Sequence, residues 1–171
     1  GRFAQNKGIE EILKVFSKLK KKYSNFKLIL IGDGPLQKQI TDYVKQNNLI
    51  KDVILPGRLT HEIACYYYNI SSVLVNVGMS GGLANVIIEA IASKLPIIAT
   101  DVGASKDYVG EKSKNGILIN SINEVEIEKG IIEIISNGKK YKNSNEKILE
   151  KFSFEFFGKK LNQTYMELLN K

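Results

Sequence analysis

The chain has 171 residues, of which 43% are hydrophobic and 25% charged, with only three prolines; this is an ordinary globular composition, long enough for one domain with a real core. No apolar run exceeds the length of a strand, so no segment reads as a membrane-spanning helix. The single cysteine, Cys65, excludes an internal disulfide and fits a reducing compartment, and the net charge of +7 raises the question of an anionic partner.

In chain order, strands and helices alternate. From Gly8 to Tyr23 the apolar residues Ile9, Ile12, Leu13, Val15, Phe16 and Leu19 recur at helical spacing. Phe26 to Ile31 reads as a buried strand ending in Gly32, Asp33, Gly34 and Pro35. Leu36 to Gln46 is the next helix, and Val53 to Leu55 a short strand ending at Pro56 and Gly57. Ile63 to Tyr68 reads as a short helix, Val73 to Val77 as a strand, and Leu83 to Ala92 as a helix opened by the glycine turn around Gly81 and Gly82. Ile97 to Ala99 and Ile117 to Ile119 are strands. Asn123 to Ser136 is helical, Asn137 to Asn145 reads as a flexible loop, and Phe154 to Leu169 is a final amphipathic helix. Alternation with near-continuous apolar strands predicts an α/β fold, a Rossmann-like parallel sheet with helices on both faces. Ligands of such sheets bind beyond the carboxyl ends of the strands, and four glycine-bearing loops fall there: 32–35, Gly57, 78–82 and 101–103.

The glycine turn before the Leu83 helix can offer backbone N–H groups to an anion. Glu89, within two turns of that start, can accept hydrogen bonds from a neutral, hydroxyl-rich part of the same ligand. A phosphate beside a sugar or ribose is the ligand this pattern suggests. A dinucleotide fingerprint is broken, because Pro35 follows Gly34 and Gln37 holds the third glycine position. There is no phosphate-binding GxxxxGK[ST] loop and no GxSxG elbow. His61 is the only histidine, so a zinc site is not expected, and it reads as a surface residue; Cys65 reads as a small half-buried one. Much of the excess charge sits at Lys18, Lys20, Lys21, Lys22, Lys139 and Lys140, at predicted helix ends where lysines complement the dipole. Most of it reads as solvated surface. Peripheral contact with an anionic membrane ranks ahead of nucleic acid, for which no recognition pattern is present.

Several short motifs then carry a resemblance. Gly1, Arg2 and Phe3 with Lys7 and Gly8; Gly32 to Pro35; Gly57, Arg58 and Leu59; the helix from Gly82 to Ala90; Leu95 to Gly103; Asn115 and Gly116; and Phe152 to Phe154 before a helix ending in Tyr165 to Leu169 together resemble the C-terminal domain of group 1 (family 4) retaining glycosyltransferases of GT-B fold. The resemblance covers essentially the whole chain. It implies that Arg2 and Lys7 neutralise the diphosphate of a nucleoside-diphosphate sugar and stabilise the departing nucleotide, as a leaving group that gains charge requires. Gly34 would shape the cleft floor, backbone at Arg58 and Leu59 would meet the nucleobase, and Gly81, Gly82, Leu83, Ala84 and Asn85 would line the donor. Glu89 would hold the ribose hydroxyls, unless it merely pairs with a nearby lysine. No cofactor and no metal are implied. The acceptor proton would go to the leaving phosphate on the same face.

The chain also departs from that pattern. Gly81 stands eight positions before Glu89, where the family has a sugar-contacting glutamate; Ala84 replaces a common proline, Val77 and Gly78 a Pro-Ser pair, and Lys94 a frequent glycine. The chain opens at Gly1 and Arg2, so residues 1–171 are expected to be one C-terminal domain, a fragment inactive alone. The first strand, and an N-terminal domain that would bind a glycan or lipid-linked acceptor, would then be missing. The expected location is the cytoplasm, peripherally at the inner face of a membrane. A non-catalytic binding subunit with a degenerate donor site, or a nucleotide-sugar epimerase of the same fold, are the alternative readings.

Overall fold

The computed structural model describes residues 1–79, 85–110, 112–141 and 146–169. Its helices are α1 (Ile9–Lys22), α2 (Gln37–Gln46), α3 (His61–Ile70), α4 (Asn85–Ala92), α5 (Ser105–Tyr108), α6 (Glu124–Asn137), α7 (Glu146–Glu150) and α8 (Phe154–Leu169). The strands are β1 (Leu28–Ile31), β2 (Val53–Gly57), β3 (Leu74–Asn76), β4 (Ile97–Thr100) and β5 (Gly116–Ile119). All pairings are parallel, in two blocks: β1 with β2, and β3, β4 and β5 in that order. The parallel α/β architecture agrees with the alternation in the sequence. All four β4 residues are buried, as a middle strand covered on both faces requires.

Residues 1–8 run along the seam between the blocks. On one side the Gly1 amino group donates to the Ile31 carbonyl, Arg2 bridges Asp33, and Phe3 N donates to Asp33 O at 2.6 Å. On the other side Met79 N donates to Asn6 O at 2.9 Å. A short 3-10 turn, Gln5–Lys7, then delivers the chain to α1 through Gly8, whose φ of 66° lies in the left-handed region. A Cβ there would sit 2.6 Å from Val77 Cγ2, so glycine is required on both counts.

From that start α1 serves two cores. Ile9, Leu13 and Phe16 pack with Phe3, Leu30, Leu36, Ile40 and Val53 over β1 and β2, whereas Ile12, Val15 and Leu19 pack with Val77, Ile98, Ile127 and Ile134. Each such side chain contributes about 1.5–3 kcal/mol of burial. A third core under α4 joins Ile87, Ala90, Ile91, Leu95 and Ile97.

Two sequence expectations need correction, and a third element is less covered than its pattern suggests. The loop over 137–145 is tied down as far as residue 141: a 3-10 turn, Gly138–Tyr141, follows α6, and the buried Tyr141 donates its hydroxyl to Glu133 at 2.9 Å. Cys65 is exposed rather than half-buried. Helix α8 exists as expected, but none of its residues is buried. The short helices α5 and α7, which carry too few turns to show periodicity, also escaped the sequence reading. Among the described residues no helix is long and apolar enough to cross a membrane.

At two positions the backbone favours glycine. Gly34 has a φ of 151°, and a Cβ there would meet Phe3 O at 2.5 Å and Phe3 N at 2.7 Å. Lys94 sits at φ 54°, where Lys94 N bonds Ile91 O and Leu95 N bonds Ala90 O to close the end of α4. That left-handed position is the one glycine fills best. Gly34→Ala should therefore cost about 2–3 kcal/mol in denaturant unfolding, and a loss under ~0.5 kcal/mol would contradict the close passage of Phe3. Lys94→Gly should instead gain about 0.5–1 kcal/mol, and a destabilised variant would contradict the strain.

Three carboxylates are held below their ordinary range by hydrogen bonds. Lys20 and then Lys27 act on Asp52; the Asn120 N–H, Asn123 and Ser121 act on Glu126; and Tyr141 and Asn137 act on Glu133. A depressed folded-state pKa adds stability above the unfolded value of about 4, and that stability is lost as pH falls through the folded value. Thermal unfolding should show a falling midpoint below about pH 5, with a shallower fall in Glu126→Gln; an unchanged acid slope in that variant would count against the Glu126 network.

Candidate functional site

The carboxyl ends of β1, β2 and β3 and the α3–α4 contact make up the candidate site. Beyond β1, the loop at Gly32 is tied to the end of β2 by Gly32 N to Gly57 O at 2.8 Å. Arg58, the next residue, turns its Nε back to Asp33 Oδ1 at 2.8 Å. Both side chains are exposed, at 80% and 48%, so the pair adds at most about 1 kcal/mol to stability and leaves two charges on the rim. Leu59 is half-buried beside it. Gly34, read from sequence as the cleft floor, is placed by its contact with Phe3.

Beyond β3, Thr100 Oγ1 donates to Gly78 O at 2.7 Å, fixing the turn from the β4 side. The point that a Cβ on Gly78 would occupy lies 3.2 Å from Lys7 Cδ and 3.7 Å from Lys7 Nζ. The Lys7 stem therefore fills the space that a larger residue at 78 would need. Gly78, one of the departures noted above, is the residue that lets Lys7 lie along this edge.

Lys7 lies against the Gly78 turn at the end of β3, and the same 1–8 segment hydrogen-bonds through Phe3 to Asp33, the partner of Arg58. Arg2, in that segment, is exposed, and Asn85 is exposed at the start of α4. Gly81, Gly82, Leu83 and Ala84 lie outside the described residues.

Glu89 has partners that the sequence reading missed. Tyr68 donates its hydroxyl to Glu89 Oε2 at 2.6 Å, and His61 Nδ1 lies 3.2 Å from Oε1. Neither is the lysine that was the alternative. His61 does lie on the surface, 87% exposed, yet its ring is turned to the carboxylate. Burial and the Glu89 carboxylate together push the Tyr68 hydroxyl well above its ordinary range, so it stays a neutral donor. The sequence does group these two partners with each other, through Thr60, which caps α3 by accepting from Ile63 N. A helix begun at residue 61 puts His61, Cys65 and Tyr68 at i, i+4 and i+7, on one face.

Comparison with known proteins gives a consistent picture. The family model described as "Glycosyl transferases group 1" matches residues 1–151. An uncharacterized glycosyltransferase of Methanocaldococcus jannaschii is 30% identical over 171 residues, 98% of this chain and 47% of its own length. An alpha-monoglucosyldiacylglycerol synthase of Acholeplasma laidlawii is 29% identical over 174 residues, 99% of this chain and 43% of its own. Among solved structures, a mutant of TarM from S. aureus, in complex with fondaparinux, alpha-GlcNAc-glycerol and UDP, superposes with a TM-score of 0.81 at 25% identity. That match covers 100% of this chain and 34% of the TarM chain. The chain thus spans less than half the length of these relatives.

Proposed function

Because the chain belongs to the group 1 glycosyl transferases, we propose that it is the donor-binding domain of a retaining glycosyltransferase. Such an enzyme would transfer a hexose from a nucleoside-diphosphate sugar to a glycan or lipid-linked acceptor. The observation that carries this reading is the gathering of Arg2, Lys7 and the Asp33–Arg58 pair at the carboxyl ends of β1, β2 and β3. Cations at the strand ends, with the Glu89 carboxylate on the helix that follows β3, suit a ligand with a charged end and a hydroxyl-bearing end.

In this reading Arg2 and Lys7 meet the diphosphate. Breaking the glycosidic bond leaves that group more negative, and cations already in place stabilise it without reorganising. Glu89 accepts from the two ribose hydroxyls, and the backbone at Arg58 and Leu59 borders the base. These cations take the place a divalent metal would hold, and the donor is the only small molecule needed. The acceptor would be held by a domain outside this chain, a proposal supported by relatives roughly twice as long. Work at the inner face of a membrane, in the cytoplasm, belongs to the same proposal. The exposed Lys21 and Lys22 at the end of α1 support it, although Lys14, Lys18, Lys20 and Lys27 are paired with carboxylates.

One observation favours a second reading. With Gly81 eight positions before Glu89, the site lacks the sugar-contacting carboxylate of the family pattern. A binding subunit that takes the nucleotide without turning over the sugar would fit that. Donor hydrolysis or transfer measured in the full-length protein separates the two.

Calorimetry with UDP, GDP and ADP tests the main proposal. At least one should bind, and Lys7→Ala or Arg2→Ala should weaken that binding by about 1–3 kcal/mol, as for a lost charge-assisted contact. Unchanged affinity in both variants would remove the diphosphate assignment.

A further inference from the structure

Glu89 is a surface-facing carboxylate on a flexible stem, yet both its oxygens face polar groups of one helix. Tyr68 donates to Oε2 at 2.6 Å and His61 Nδ1 stands 3.2 Å from Oε1. Both braces come from α3, two turns apart on one face. The Tyr68 ring packs against the core under α4, beside Ile87 and Ala90, so its hydroxyl is delivered from a fixed base. The Glu89 side chain is 26% exposed, enough for a ligand to reach it.

A carboxylate oxygen has two lone pairs, so the Tyr68 bond leaves one on Oε2 and leaves Oε1 able to accept as well. Two acceptors held side by side match a pair of neighbouring hydroxyls. A free glutamate would have to give up rotamer freedom when it met them, whereas this one is already fixed.

The fold makes the arrangement specific. None of the α3 residues is buried, and the helix packs against α4. Tyr68 thus serves both contacts, its ring on the core under α4 and its hydroxyl on the carboxylate. A tyrosine is suited to the task, because it can only donate to a carboxylate and, with its pKa raised, keeps its proton.

We propose that Tyr68 is a positioning residue, which orients Glu89 so that the carboxylate accepts from both ribose hydroxyls of the bound nucleotide, with His61 as a second brace. This rests on the ribose role proposed for Glu89. Tyr68 does not itself touch the nucleotide; it acts through Glu89.

The test compares ligands as well as variants. Binding to this chain is measured for whichever of UDP, GDP and ADP binds tightest, for its 2′,3′-dideoxy analogue, and for inorganic pyrophosphate. Tyr68→Phe keeps the ring packing and removes only the donor. It should weaken the ribonucleotide about tenfold while leaving the dideoxy analogue and pyrophosphate within about twofold. Adding Tyr68→Phe to Glu89→Ala should then change nothing further, because the two act as one unit.

Equal loss for all three ligands in Tyr68→Phe would mark a merely structural residue and overturn the proposal, as would no loss for any. The control separates this from its premise. If Glu89→Ala leaves the preference for the ribonucleotide intact, the ribose role of Glu89 fails. If Glu89→Ala abolishes that preference and Tyr68→Phe does not, the ribose role stands and the positioning role of Tyr68 falls.

Discussion

The structure depends on the path of its first eight residues. They lie between two blocks of parallel sheet that share no strand pairing among the described residues, and they hydrogen-bond to both. Gly34 gives its space to the Phe3 backbone, and Gly8 gives its own to Val77. A Cβ at Gly34 would meet Phe3 O at 2.5 Å, and one at Gly8 would meet Val77 Cγ2 at 2.6 Å. The helix that follows then buries one face in each block's core, so the seam and α1 together set how the strand ends are arranged.

That arrangement makes the site. Lys7 ends the 3-10 turn within the seam and reaches the Gly78 turn; Asp33 leaves β1 with its carboxylate on Arg58 from β2; and Glu89 rises from α4, held by α3. No single element carries the site, and each contributes one charged or polar group. The charges also differ in how firmly they are held. Arg58 and Asp33 form an exposed pair that solvent screens and that a ligand can rearrange. Glu89 is held by the Tyr68 hydroxyl, and Lys7 lies against Gly78, where a Cβ would come within 3.2 Å of its stem. A donor with an anionic middle and a hydroxyl-bearing sugar would meet soft charges at one end and a fixed acceptor at the other.

Much of this was legible in the sequence, and the limits have physical causes. The helices α1, α2 and α6 follow their apolar spacing, and the strands follow their β-branched runs, because burial at those positions dominates local propensity. The agreement of Gly32–Pro35, Gly57 and Gly78 with strand ends was equally readable, since glycine suits both a close backbone passage, as at Gly34, and a positive φ, as at Gly57. What sequence could not supply was the pairing of Glu89. Tyr68 and His61 belong to a different helix, and only the packing of α3 on α4 brings them to the carboxylate. Nor could it supply the split of the sheet or the exposure of α8. An amphipathic pattern says that a face is apolar, and says nothing of what it meets. Lys94 shows the reverse case: a residue that looked like an unexplained departure turns out to occupy a backbone conformation in which glycine would be easier.

Amide NMR of this chain titrated with a nucleoside diphosphate tests the central claim most directly, because it locates the ligand without presuming any residue's role. The account predicts shifts confined to residues 2–8, 33–34, 58–59 and 76–89, with the Tyr68 and His61 signals moving in step with Glu89. Shifts centred instead on the cavity between α1 and α2, lined by Leu13, Leu36, Ile40 and Tyr43, with the strand ends silent, would contradict it.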